Sequence, residues 1–144
     1  PVSGGGIMAG CAVVTHALCP NAEIIAVEPA EKDALKRSIE AGQRVRVPPP
    51  DTIADGLRVR VPGEHTWPVL QHHVDRVILV DDAAMQHAMQ WALSELRIVL
   101  EPSGATTLAA ALQEGHGRCG VICTGGNADP TLLARVAQAA ASSS

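Results

Sequence analysis

A chain of 144 residues with 47% hydrophobic and 18% charged side chains suits one globular domain with a real core, which argues against a disordered segment. That core must be aliphatic, because there is no Phe or Tyr and only Trp67 and Trp91, and this argues against stacking on nucleic-acid bases. A formal net charge of -4 leaves no basic stripe for nucleic acid and no apolar run has the length of a membrane span; a small-molecule partner and cytoplasmic residence are expected.

The chain opens Pro1-Val2-Ser3-Gly4-Gly5-Gly6-Ile7-Met8, a glycine run leading into an apolar, alanine-rich stretch. Residues 7–18 are predicted to be a helix, ended by Cys19-Pro20-Asn21. Successive glycines let the backbone turn without Cβ clashes and expose its N–H groups, while the helix adds the positive end of its dipole. The junction therefore suits a phosphate without needing a lysine. The G-x-x-x-x-G-K-[ST] and G-x-G-x-x-G spacings are both missing, so nucleotide binding is a weak reading, and a ligand-free glycine turn is the alternative. A phosphate loop ordinarily follows a strand, so a further element before Pro1 is expected.

Residues 23–28 read as a buried strand closed by Pro29, and residues 31–41 as a helix that stops at Gly42. Residues 43–62 are proline-rich and without period, hence loop; Arg-Val-Arg-Val-Pro occurs there twice, in flanks too different for a duplicated strand. Residues 66–73 are predicted as a short helix and 76–80 as a second strand. Asp81-Asp82 caps a helix running to about Leu100, Asp81 being structural. Pro102 and Ser103 open another helix that ends near residues 115–117, and residues 120–123 read as a third strand terminated by Thr124-Gly125-Gly126-Asn127. Asp129-Pro130 starts the last helix, with a fraying tail at 139–144. Cys11, Cys19, Cys119 and Cys123 lack paired C-x-x-C spacing and are read as buried, reduced thiols. The alternation predicts an α/β fold, a three-layer, mostly parallel sheet flanked by helices, with ligands at the strands' C-terminal ends.

Four segments, Ser3-Gly4-Gly5-Gly6-Ile7, Thr52-Ile53-Ala54-Asp55-Gly56, Glu101-Pro102-Ser103-Gly104-Ala105 and Thr124-Gly125-Gly126-Asn127, occur in that order. With them the chain resembles the threonine/serine dehydratase and serine racemase family, which are fold-type-II pyridoxal-phosphate enzymes. The likeness runs through essentially all 144 residues, Thr66-Trp67-Pro68 included. It implies that Ser3, Gly4, Gly5, Gly6 and Ile7 cradle the phosphate of pyridoxal 5'-phosphate through backbone amides. It also implies that Thr124 sets a neutral hydroxyl against the pyridine nitrogen, and that Glu101 and Gly56 lie beside the ring. Taken alone, Glu101 could equally be an anion at a helix N-terminus, and Asp55-Gly56 a plain turn.

The resemblance further implies a divalent cation on a glutamate that follows a strand, where Glu28 fits, with an aspartate six residues later. Ala34 stands at that place, and Asp33 is one position off. The family's Schiff-base lysine, in an N-terminal Ser-Phe-Lys motif, and the glycine-asparagine loop over the ring have no counterpart here. The lysines present, Lys32 and Lys36, fall on a helix predicted to lie at the surface with solvated charge. Residues 1–144 are thus expected to be the C-terminal part of the catalytic domain, inactive alone and with an unpaired sheet edge that promotes self-association. The full chain, a homodimer, would remove water and then ammonia from threonine or serine to give a 2-oxo acid, or would racemise serine. A non-catalytic phosphate- or cofactor-binding module is the alternative from another class.

Overall fold

The structure, a computed structural model, describes residues 1–115 and 117–142, with the backbone alone at Ser142. Two short runs of branched apolar residues form its strands, β1 (Ile25–Pro29) and β2 (Arg76–Val80). They pair in parallel, with Ile25 opposite Arg76 and Pro29 opposite Val80. Side chains alternate across the pair: Ala26 and Val77 point into one apolar cluster, Val27, Ile78 and Val80 into the other. The first cluster is closed by α1 (Gly6–Leu18), α2 (Ala34–Ala41) and α3 (Trp67–His73) through Met8, Ala12, Leu35 and Leu70. The second is closed by α4 (Asp82–Trp91), α5 (Pro102–Glu114) and α6 (Pro130–Ser142) through Met85, Met89, Ala105, Leu108 and Val136. Parallel strands covered on both faces by helices give the three layers of an α/β fold.

Capping signals account for the helix starts. Asp81, extended at φ -88 and ψ 171, accepts from the Ala84 N–H at 2.8 Å. Asp81→Ala is therefore expected to lower stability by about 1 kcal/mol in equilibrium denaturation, and a loss below about 0.3 kcal/mol would contradict the assignment. Asp129 accepts from the N–H groups of Thr131 at 2.7 Å and Leu132 at 3.1 Å. The Thr131 hydroxyl and these two N–H groups hold its carboxyl below the usual carboxylate range. A depressed carboxyl stabilises the fold above its unfolded pKa and loses that effect as pH falls through the folded value. Acidification is expected to loosen the first turn of α6 before its body, read by amide exchange.

Several expectations are corrected. The third strand at residues 120–123 does not form; these residues run irregularly past α5, where Thr107 Oγ1 donates to Ile122 O at 2.7 Å. A strand needs a hydrogen-bonded neighbour, and among the described residues only β1 and β2 are so paired. Without that strand Cys119 and Cys123 are exposed, as is Cys19, and Cys11 is half-buried, so the four are free thiols and not core residues. The helix expected to reach Leu100 passes at Trp91 into a π turn (Ala92–Leu96) and stops at Arg97, which is left-handed at φ 60. α2 starts at Ala34, not Glu31, because its N-terminal N–H groups are capped from β1 by Glu28. Residues 143 and 144 of the tail lie outside the described residues. Among those described, no helix is long and apolar enough to cross a membrane.

Candidate functional site

The glycine loop is fixed from below and left free above. The Val2 N–H donates to Val27 O at 3.0 Å, which lays the approach to the loop alongside β1. Gly5 then turns left-handed at φ 94, and a Cβ there would stand 2.5 Å from Leu70 Cδ1 and 3.0 Å from Thr66 Oγ1. Both the backbone and the packing against α3 therefore require glycine. At Gly4 and Gly6 a Cβ would meet nothing within 4 Å, so their outer side is open. No side chain caps α1, and the N–H groups of its first turn are left for an external acceptor.

The carbonyls of the loop show where its amides point. Val2 O and Ser3 O accept from Lys32 Nζ at 3.2 and 3.4 Å. Gly4 O accepts from the Gly63 N–H at 2.9 Å and from Thr66 Oγ1 at 2.5 Å. All peptide bonds described are trans, and in a trans peptide C=O and N–H point opposite ways. Holding the carbonyls of Val2, Ser3 and Gly4 inward thus turns the N–H groups of Ser3, Gly4 and Gly5 outward. Successive outward amides at a helix N-terminus make an anion cradle, and a phosphate fits it. Gly63 and Lys32 are neighbours of the loop that sequence reasoning missed, as it missed the contact of Thr66, which it noted only within the family resemblance. A Cβ at Gly63 would lie 2.9 Å from Gly4 O, so this glycine too is required for the close approach.

Lys32 corrects the expectation of a solvated surface lysine. It and Glu28 are 0% exposed and pair at 2.6 Å, in the turn before α2. Glu28 Oε1 also accepts from the Leu35 N–H at 3.0 Å, and Oε2 accepts from Leu35 and Lys36 N–H groups at 3.0 Å. The carboxylate that the resemblance offers to a divalent cation thus already faces an ammonium and the N-terminus of α2. Asp33 pairs instead with Arg37 at 2.7 Å, and among the described residues no three His, Cys, Asp or Glu side chains converge on a metal position.

The other motif segments meet at the N-terminus of α5. Asp82 accepts from Thr52 Oγ1 at 2.5 Å and from the Ile53 N–H at 3.0 Å, fastening the loop that leads to Gly56. The Gly56 N–H donates to Ser103 Oγ at 3.1 Å, and a Cβ at Gly56 would crowd that oxygen at 2.9 Å. Glu101 donates its N–H to Gly125 O at 3.3 Å and accepts from the Asn127 N–H through Oε2 at 3.1 Å. Its carboxylate therefore shapes the left-handed turn at Gly125, φ 74, that follows the half-buried Thr124. Thr124 O rests on Gly104, where there is no room for a Cβ. A cavity of about 410 Å³ is lined by, among others, Pro1, Ile7, Cys119 and Ile122. It brings the flank of the glycine loop and the approach to Thr124 together; Ser3, Gly56, Glu101 and Thr124 themselves are outside its wall.

The chain is similar in sequence and fold to several known proteins. The sequence profile of the family described as "Pyridoxal-phosphate dependent enzyme" matches residues 1–125. The serine racemase of Oryza sativa subsp. indica is 41% identical over 142 residues, covering 92% of this chain and 42% of the relative. An L-threo-3-hydroxyaspartate ammonia-lyase of Pseudomonas sp is 36% identical over 132 residues, covering 89% of this chain and 41% of the relative. The crystal structure of a T.th. threonine deaminase superposes with a TM-score of 0.86 at 40% identity, over 90% of this chain and 45% of that one. The chain thus spans less than half the length of the relatives it matches.

Proposed function

Because this chain belongs to the family of pyridoxal-phosphate dependent enzymes, of fold type II, we propose that Ser3, Gly4, Gly5, Gly6 and Ile7 hold the phosphate of that cofactor. The observation that carries the reading is the row of anchored carbonyls at Val2, Ser3 and Gly4, which directs three successive amides toward the uncapped end of α1. When bound, the cofactor supplies an electron sink for bonds breaking at an amino acid's α-carbon. The chain's own part is to bind and orient. Backbone amides and the α1 dipole hold the dianion without a side-chain cation, and Thr124 offers a neutral hydroxyl to the ring nitrogen. Glu101 fixes the turn after Thr124, and Ser103 fixes Gly56, so both act by positioning. The cofactor-carrying lysine is proposed to belong to a segment other than these 144 residues; that Lys32 is buried in an ion pair, and that neither it nor Lys36 stands in a Ser-Phe-Lys motif, supports this reading.

For the whole protein, proposed to be a homodimer, the reaction is loss of water and then ammonia from a small 3-hydroxy amino acid, threonine or serine. Likeness to a threonine deaminase and a hydroxyaspartate ammonia-lyase supports it. Racemisation of serine is the second reading, supported by the 41% identity with the rice serine racemase. The test is turnover by a protein that joins these residues to the lysine-bearing segment. Excess 2-oxo acid from L-threonine or L-serine supports the lyase, and excess D-serine from L-serine the racemase. Bound cofactor with neither product would overturn both and leave a binding module.

A further inference from the structure

We propose that Lys32 is a positioning residue of the phosphate loop, a built-in cation that keeps the Val2 and Ser3 carbonyls turned inward and so aims the Ser3 and Gly4 amides at the bound phosphate. The proposal rests on the phosphate reading of that loop. A buried ammonium has three protons to satisfy, and Lys32 Nζ has three acceptors: Glu28 Oε1 at 2.6 Å, Val2 O at 3.2 Å and Ser3 O at 3.4 Å. Two of the three belong to the loop, from a residue about thirty positions away in the chain. Glu28, in turn, is held by the Leu35 and Lys36 N–H groups, so the end of β1, the start of α2 and the loop share one charge pair.

A pair this deeply buried is a poor device for stability, because apolar side chains of similar volume do as well or better in such places. Its retention makes sense where the charge acts on the peptides it touches. A cationic donor on a carbonyl oxygen polarises that peptide and strengthens its N–H as a donor on the far side. The peptides of the Val2 and Ser3 carbonyls carry the Ser3 and Gly4 N–H groups. With both Glu28 oxygens on protein donors, the arrangement is complete without a divalent cation, and EDTA should leave phosphate affinity unchanged.

The experiment compares this chain with Lys32→Met and with the double variant Glu28→Gln/Lys32→Met, which leaves no orphaned charge. Inorganic phosphate affinity is measured by titration, amide exchange is followed without ligand, and thermal stability is recorded for each. The double variant is expected to stay folded, to bind phosphate about tenfold or more weakly, and to exchange the Val2 amide, which is bonded to Val27 O, about tenfold faster. Affinity and exchange within about twofold of the unaltered chain would overturn the proposal. So would loss of protection throughout β1 in both variants, which would make Lys32 structural only. If the unaltered chain itself ignores phosphate, the phosphate reading falls, and the exchange of the Val2 amide still decides whether Lys32 orders the loop.

Discussion

Gly5→Ala is expected to abolish measurable phosphate binding and to lower stability by about 2–5 kcal/mol, adding left-handed backbone strain to overpacking. The methyl group would sit 2.5 Å from Leu70 Cδ1 at a residue held at φ 94. Leu70 is fully buried at the centre of the cluster that α1 and α3 form, so it has little room to retreat. The simplest relief is to push the loop off α3. That movement breaks the bonds of Gly4 O to the Gly63 N–H and Thr66 Oγ1, and the Gly5 amide loses its direction. Equilibrium denaturation and phosphate titration of the variant check both parts. A stable variant that binds phosphate normally would show that the loop is not aimed from α3.

Gly104→Ala comes second, and its damage is placed elsewhere. A Cβ at this position would lie 2.7 Å from Thr124 C and 2.9 Å from Gly125 O, closer still to Thr124 O. All three are backbone atoms, so no rotamer change relieves the clash and the whole 124–127 turn must lift from α5. Overpacking of this kind costs about 1–3 kcal/mol, and the rigid neighbour puts Gly104 at the upper end. The Glu101 bonds to Gly125 and Asn127 go with the turn, and Thr124 is displaced. Pyridoxal-phosphate affinity and the absorbance of the bound ring should therefore change, while inorganic phosphate affinity is retained. Equal losses for phosphate and cofactor would contradict a separate role for the Thr124 segment.

The contrast between these two glycines shows what could be read from the chain. Three glycines ahead of an alanine-rich helix suggest a phosphate loop or a ligand-free turn through local chemistry alone, while Asp81, Asp129-Pro130 and Gly115 announce helix ends. What aims the loop is not local. Gly63 and Thr66 reach Gly4 across about sixty residues, and Lys32 reaches Ser3 across 29. In sequence, Glu28 reads as the end of a strand and Lys32 as a solvated lysine on the next helix; only packing of the loop over the end of β1 brings them together and buries them. Val121 and Ile122 failed as a strand for a related reason, since apolar β-formers need a neighbour to pair with. Motif order carried the family resemblance where single motifs were weak, but the contacts of Ser103 with Gly56 and of Glu101 with the 125–127 turn appear only in the fold.

The central claim is a phosphate cradle complete in backbone donors but without its own cofactor-carrying lysine. Titration of the chain with pyridoxal 5'-phosphate, followed by borohydride reduction and peptide mapping, tests it most directly. The account predicts binding that inorganic phosphate competes away and no reduced adduct on Lys32 or Lys36. A stable adduct on either lysine, or binding indifferent to phosphate, would contradict it.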